Sequence, residues 1–111
     1  MIDWISEFPG AVTVCDLEGI VLDMNERAAS AYQEFGGRDL IGKSLIECHP
    51  EPARGKFLQL LQSGGQNAYT VKKNGVRKLI YQAPWYRNTQ RCGMVELALE
   101  IPLELPHFIR R

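Results

Sequence analysis

The sequence predicts an α+β domain, and three observations predict it. Two short β-rich runs open the chain, glycine- and proline-broken helical stretches fill its middle, and three further strand-like runs close it. At 111 residues the chain fits one domain, long enough to bury roughly two-thirds of its unfolded surface in a single core.

The first run begins after "DWISEFP". Asp3 is a good N-cap, and Trp4 and Phe8 stand one helical turn apart before Pro9, which predicts a short amphipathic cap helix within residues 1–9. Val12 to Cys15 and Ile20 to Met24 then flank Asp16-Leu17-Glu18-Gly19, with Asp first and Gly last as a type I turn prefers; this reads as a hairpin.

Asn25 can cap a helix on which Ala28, Ala29, Tyr32 and Phe35 recur at helical spacing until Gly36-Gly37. "RDLIGKSLIECHP" is interrupted by Gly42 and ends at Pro50, so one or two helical turns and loops are expected there. From about Pro52 to Gln62, Ala53, Phe57, Leu58, Leu60 and Leu61 give a helix its apolar face, and Ser63-Gly64-Gly65 ends it.

In the last half, Asn74-Gly75 is the strongest short hairpin signal, set between runs carrying Tyr69, Val71, Leu79, Ile80, Tyr81, Trp85 and Tyr86. In "GMVELALEIP", Val95, Leu97, Leu99 and Ile101 alternate with Glu96, Ala98 and Glu100, as a strand with one wet face requires. Under the same alternation residues 79, 81, 83 and 85 share one face, on which Tyr81 and Trp85, with Tyr69, line either a ligand cavity or, the favoured reading, an ordinary aromatic core, and Gln82, Pro84 and Tyr86 face the other way.

Composition excludes several function classes. Thirteen basic and thirteen acidic residues cancel, and neither sign gathers into a long run, which argues against nucleic acid or an anionic membrane as a partner. Lys72, Lys73, Arg77 and Lys78 read as a solvated hairpin tip. No stretch approaches the roughly 20 apolar residues of a membrane helix, and the Met1 end lacks the pattern of a signal peptide, so a cytoplasmic protein is expected. Cys15, Cys48 and Cys92 are odd in number, widely spaced and without a CxxC pair, which fits reduced thiols and neither a disulfide framework nor structural zinc.

Taken together, "DLEGIVLDMNERA", "LIGKSL", "KKNGVRKLIYQ" and "GMVELALEIP" resemble a PAS sensor domain of the bacterial S-box type, over nearly the whole chain from Val12 to Pro102. The resemblance implies a five-stranded antiparallel sheet with short central helices on one face of it, closing a small cavity. It divides the chain into the 1–9 cap, an 11–102 PAS core and a 103–111 tail, in which Leu103, Leu105, Phe108 and Ile109 would pack on the sheet or on a partner. It also implies a regulatory module that binds a small ligand or cofactor and relays a change to a homodimer mate or a signalling partner, with the output on another polypeptide or elsewhere in a longer protein. The competing class is a PAS-fold interaction or dimerisation module with no cofactor.

Subfamily cofactors meet specific positions. Leu45 stands where flavin-binding LOV domains carry their reactive cysteine; Met24 and Ala28 stand where photoactive yellow protein has the Tyr and Glu that hold its phenolate. The helix from which haem PAS domains commonly ligate iron contains no histidine here, leaving His49 just ahead of it. Haem and flavin both stay open, without a specific motif for either.

Adjacent Cys48 and His49 allow two readings: a ligand or reactive thiolate, with His⁺ lowering the thiol pKa, or a small buried cysteine beside a turn histidine. The second is favoured, because sequence neighbours often point apart and no third ligand is evident. The candidate ligand-binding residues are Met24, Tyr32, Cys48, His49, Phe57, Tyr69, Tyr81 and Trp85. An enzyme is not expected, for no nucleophile, base and orienting group can be assembled around the two histidines.

Overall fold

A computed structural model describes all of residues 1–111. The strands are β1 (Ala11–Asp16), β2 (Val21–Met24), β3 (Asn67–Lys73), β4 (Val76–Arg87) and β5 (Gln90–Ile101), in one antiparallel sheet of order β2-β1-β5-β4-β3. Between β2 and β3 lie α1 (Glu26–Ala31), three single-turn 3₁₀ segments and α2 (Ala53–Ser63). No helix is long and apolar enough to cross a membrane.

Local chemistry accounts for most boundaries. Asp16 Oδ1 accepts from the amides of Glu18 and Ile20 at 2.9 Å each, and Gly19 takes φ of 82°, closing the first hairpin. Asn25 is a buried hub: its Oδ1 accepts from Ala28 N, which caps α1, and from Val12 N, while its Nδ2 donates to the carbonyls of Ile5 and Gly10. Gly64 adopts the left-handed conformation past α2 and donates its amide to Leu60 O.

Asn74 and Gly75 both have positive φ, as a two-residue type I′ turn needs, and Asn88-Thr89 repeats the device between β4 and β5. Pro84 lies inside β4 but past the end of its pairing with β3, so the missing amide leaves no ladder bond unmade on that side.

The helical layer covers one sheet face. There Cys15, Val21, Met24 and Met94 pack with Ala28, Leu40, Leu45, Phe57, Leu60 and Leu61 into a continuous apolar core.

Two expectations are corrected and a third is narrowed. Residues 1–9 form a turn and no helix: Asp3 Oδ1 does accept from the amides of Ile5 and Ser6, but Pro9 leaves too few residues for helix propagation to offset its nucleation. Trp4 and Phe8 still meet edge to face at 5.5 Å.

The faces of β4 and β5 are the reverse of those expected. Thr13, Glu96 and Gln82 align across β1, β5 and β4 on the helix-covered face, whereas Val12, Leu97 and Tyr81 align on the opposite one. Alternation alone assigns a polar residue to the wet side, but Glu96 is a buried charge with its partners inside. Of the two placements expected for the 103–111 tail, the one on the sheet is not found: Leu103, Leu105, Phe108 and Ile109 are each more than half exposed, and its tie is Arg77 Nη1 donating to Leu103 O at 2.8 Å.

Candidate functional site: a buried carboxylate behind a cleft

Glu96 projects from the central strand β5 into the interior and is 8% exposed. Three donors converge on it. Tyr32, from the C-cap of α1, donates its hydroxyl to Oε1 at 2.8 Å; Gln82, from β4, donates Nε2 to Oε2 at 2.7 Å; and His49 Nε2 lies 3.2 Å from Oε2. Burial of a carboxylate is costly unless its lone pairs are met, and here they are.

His49 comes from the loop between the third 3₁₀ segment (Ile46–Cys48) and α2. Its Nδ1 is 2.9 Å from Leu45 O, a pure acceptor, so Nδ1 carries a proton. An ionised Glu96 is also a pure acceptor, so Nε2 carries one too, and the pair is imidazolium and carboxylate. Burial opposes the charge on His49, yet the hydrogen bond and charge of Glu96 and the Leu45 carbonyl outweigh it and hold its pKa above the ordinary value. For Glu96 burial likewise works against ionisation, and His49, Gln82 and Tyr32 more than offset it, leaving its pKa below the usual carboxylate range. The His49 ring stacks on Phe57 of α2, with centroids 4.8 Å apart and planes at 22°, and Arg54 Nε donates to His49 O.

The adjacent thiol does not share this chemistry. Cys48 Sγ points to Ser44 O, and burial, with Glu47 and Glu96 nearby, pushes its pKa up. The Cys48-His49 neighbours therefore diverge: the histidine is a buried ionic partner, and the thiol is not primed as a nucleophile. Cys15 is also an inert buried thiol, pushed up to about 11 mainly by burial.

Beside this network a cleft of about 270 Å³ opens between the start of α2 and the inner faces of β3 and β4, lined by Pro52, Ala53, Lys56, Asn67, Tyr69 and Gln82. Gln82 belongs to both: while Nε2 is held by Glu96, its Oε1 accepts from Asn67 Nδ2 at 3.1 Å.

Of the residues singled out from sequence, Tyr32 and His49 meet at Glu96, Phe57 backs His49, and Tyr69 lines the cleft. Met24 belongs to the apolar core, and Cys48 packs at its edge. Tyr81 and Trp85 lie on the opposite sheet face; Trp85, paired with Gly93, donates Nε1 to Cys15 O at 2.9 Å. A Cβ on Gly93 would collide with that Cys15 carbonyl, so only glycine fits there.

Glu96, Gln82, Asn67 and Lys56 were missed. The signal for Glu96 was present: Met94 and Ala98 on one face and Val95 and Leu97 on the other make β5 apolar on both sides, so its mid-strand carboxylate is a buried charge in need of partners.

This cleft is small for the larger cofactors. Sites for drug-sized ligands run from roughly 300 to 1,000 Å³, and the cleft lies below that range. Both ring nitrogens of His49 are engaged, which leaves none for iron.

A sequence model of the PAS fold family matches residues 5–63, just over half of the chain. No curated protein matches. Among solved structures the chain is similar to the VqmA dimer of Vibrio cholerae, a LuxR-type receptor (TM-score 0.63, 17% identity, 96% of this chain and 54% of that one). It is also similar to the Vibrio cholerae Aer2 receptor, a dual PAS-heme oxygen sensor (0.59, 17%, 84% and 95%). A third likeness is to the PAS domain of an HTR-like protein from Haloarcula marismortui (0.62, 11%, 88% and 86%). The chain thus spans about half the length of VqmA and most of the other two. With the family match, the sheet order and the covering helices in agreement, the chain belongs to the PAS fold family.

Proposed function

We propose that this chain is a sensory PAS module that takes a small polar ligand into the cleft between α2 and β3–β4 and relays its presence to a signalling partner. One observation carries the reading: Gln82 lines the cleft and is hydrogen-bonded to Glu96, which is bonded in turn to Tyr32 and His49 of the helical layer. A ligand that pulls on Gln82 acts two hydrogen bonds away from α1 and the loop before α2. Relay requires only that it favour one arrangement of this network over another.

The cleft's volume of about 270 Å³ suits a metabolite and is smaller than a haem or flavin site. In this reading the module works in the cytoplasm, without catalysis, as a homodimer or bound to another signalling protein. The test is a thermal-shift screen of small metabolites on the wild type and on Ala53→Trp, which enlarges a side chain lining the cleft at a residue that makes none of the network's hydrogen bonds. A rise in melting temperature seen in the wild type and abolished in Ala53→Trp supports the reading; a rise of equal size in both places the ligand elsewhere and refutes it.

A second reading, a PAS-fold dimerisation or interaction module, draws on the exposed apolar tail of Leu103, Leu105, Phe108 and Ile109. Light scattering on the chain with and without residues 103–111 separates it from the first: loss of a dimer on truncation, with no ligand-dependent shift, favours interaction.

A further inference from the structure

Glu96 fixes which end of Gln82 faces the cleft. A carboxylate can only accept hydrogen bonds, so Gln82 must turn its amide nitrogen inward, at 2.7 Å from Oε2. Its oxygen then faces Asn67, whose Nδ2 donates to it at 3.1 Å, and this in turn leaves Asn67 Oδ1 with no donor from the protein. Gln82 Oε1 keeps a second lone pair. Two carbonyl oxygens with unused acceptor capacity therefore stand side by side on residues that line the cleft. Neither amide can flip cheaply, because flipping Gln82 would set its oxygen against the Glu96 carboxylate and break the bond to Asn67.

Resting on the ligand-binding reading above, we infer that Gln82 and Asn67 are the specificity-determining pair of the cleft, and that they select small ligands presenting an N–H or O–H donor over isosteres presenting only acceptors. Glu96 is a positioning residue: it touches no ligand and sets the amide orientation. An acceptor-only ligand would oppose oxygen to oxygen and strand both amide carbonyls away from water. Lys56 is the one charged residue lining the cleft and has no ion-pair partner.

The experiment uses the full chain and two probes of matched shape, N-methylbenzamide and methyl benzoate, which differ in having N–H or ester oxygen at one position. Binding is read from ¹H–¹⁵N spectra at the amides of Asn67, Tyr69 and Gln82. The amide is expected to bind about tenfold more tightly than the ester. Glu96→Gln, which lets the Gln82 amide take either orientation, is expected to bring the ratio near one, and Gln82→Met, which removes the acceptor and keeps the length, to do the same if Glu96→Gln does not fold. Equal affinity of the two probes in the wild type overturns the donor selectivity while the cleft remains a binding site. No perturbation by either probe overturns the inference as well, and the metabolite screen with Ala53→Trp then decides the broader reading by itself.

Discussion

The helix-covered face of the sheet has two halves built on different physics. At one end Cys15 and Met94 pack against Leu45, Leu60 and Leu61, an apolar region with no polar side chain to orient. At the other, Glu96, Gln82 and Asn67 lead from the buried His49 out to the cleft. Phe57 stands at the boundary, wholly buried, with its ring on the imidazole. The apolar half stabilises by area, with little dependence on direction or pH. The polar half contributes through a few directional contacts whose strength depends on charge, so a small change at one group reaches the others. A sensor needs both: a part that keeps the fold and a part that can be tipped.

The comparison is broken most severely at its centre. Glu96→Ala leaves His49, Gln82 and Tyr32 without their common acceptor and is expected to cost about 3–5 kcal/mol in urea unfolding, a large share of a domain's roughly 5–15 kcal/mol. In the apolar half, Leu60→Ala is expected to cost about 3 kcal/mol, and by the same amount at every pH where the protein folds. Asn25→Ala removes the α1 cap and the ties to Val12, Ile5 and Gly10 together, for a loss of about 2 kcal/mol by the same measurement.

Dependence on pH sharpens the contrast. Glu96, with its pKa lowered, stabilises the fold above its ordinary value of 4.5, and that contribution is lost as pH falls through the lower folded value. His49, with its pKa raised, stabilises below its ordinary value of 6.5, and its contribution is lost as pH rises through the higher folded value. The two describe one pair, which is therefore at full strength between 4.5 and 6.5. Melting temperature should peak in that window, and Glu96→Gln should flatten both flanks; a Leu60→Ala profile should run parallel to the wild type. The smallest effect lies outside both halves. Thr89 is a β-branched residue at φ of 65° in the β4–β5 turn, so Thr89→Gly is expected to stabilise by about 1 kcal/mol in thermal unfolding.

The two halves also differ in how far the sequence discloses them. Turn chemistry is local, so Asp16 to Gly19, the Asn25 cap, Gly64 and Asn74-Gly75 announce their elements directly. The helix-facing apolar residues follow from helical spacing, and α2 falls within a residue of its expected ends. The order of the strands in the sheet is not local, and the family resemblance implied only that there are five and that they run antiparallel. The polar half was misread for a physical reason: alternation tells which residues share a face, but not which face is inside. On β5 a buried carboxylate satisfied by His49, Gln82 and Tyr32 looks, in sequence, like a solvent-facing one. Its partners lie 14 to 64 residues away along the chain, on three separate elements. Fixing Glu96 inside would also have turned Gln82 inward and Tyr81 and Trp85 outward, since the register couples them.

The most direct test of the account is the protonation of His49, read from its ¹⁵N ring shifts and one-bond N–H couplings across a pH titration. An ionised pair predicts protons on both Nδ1 and Nε2 at pH values above the ordinary histidine range, and in Glu96→Gln the Nε2 proton lost at those pH values while Nδ1 keeps the one it gives to Leu45 O. A ring carrying one proton near neutral pH, with an unshifted titration, would contradict it, because Glu96 would then not be the charge that orients Gln82 toward the cleft.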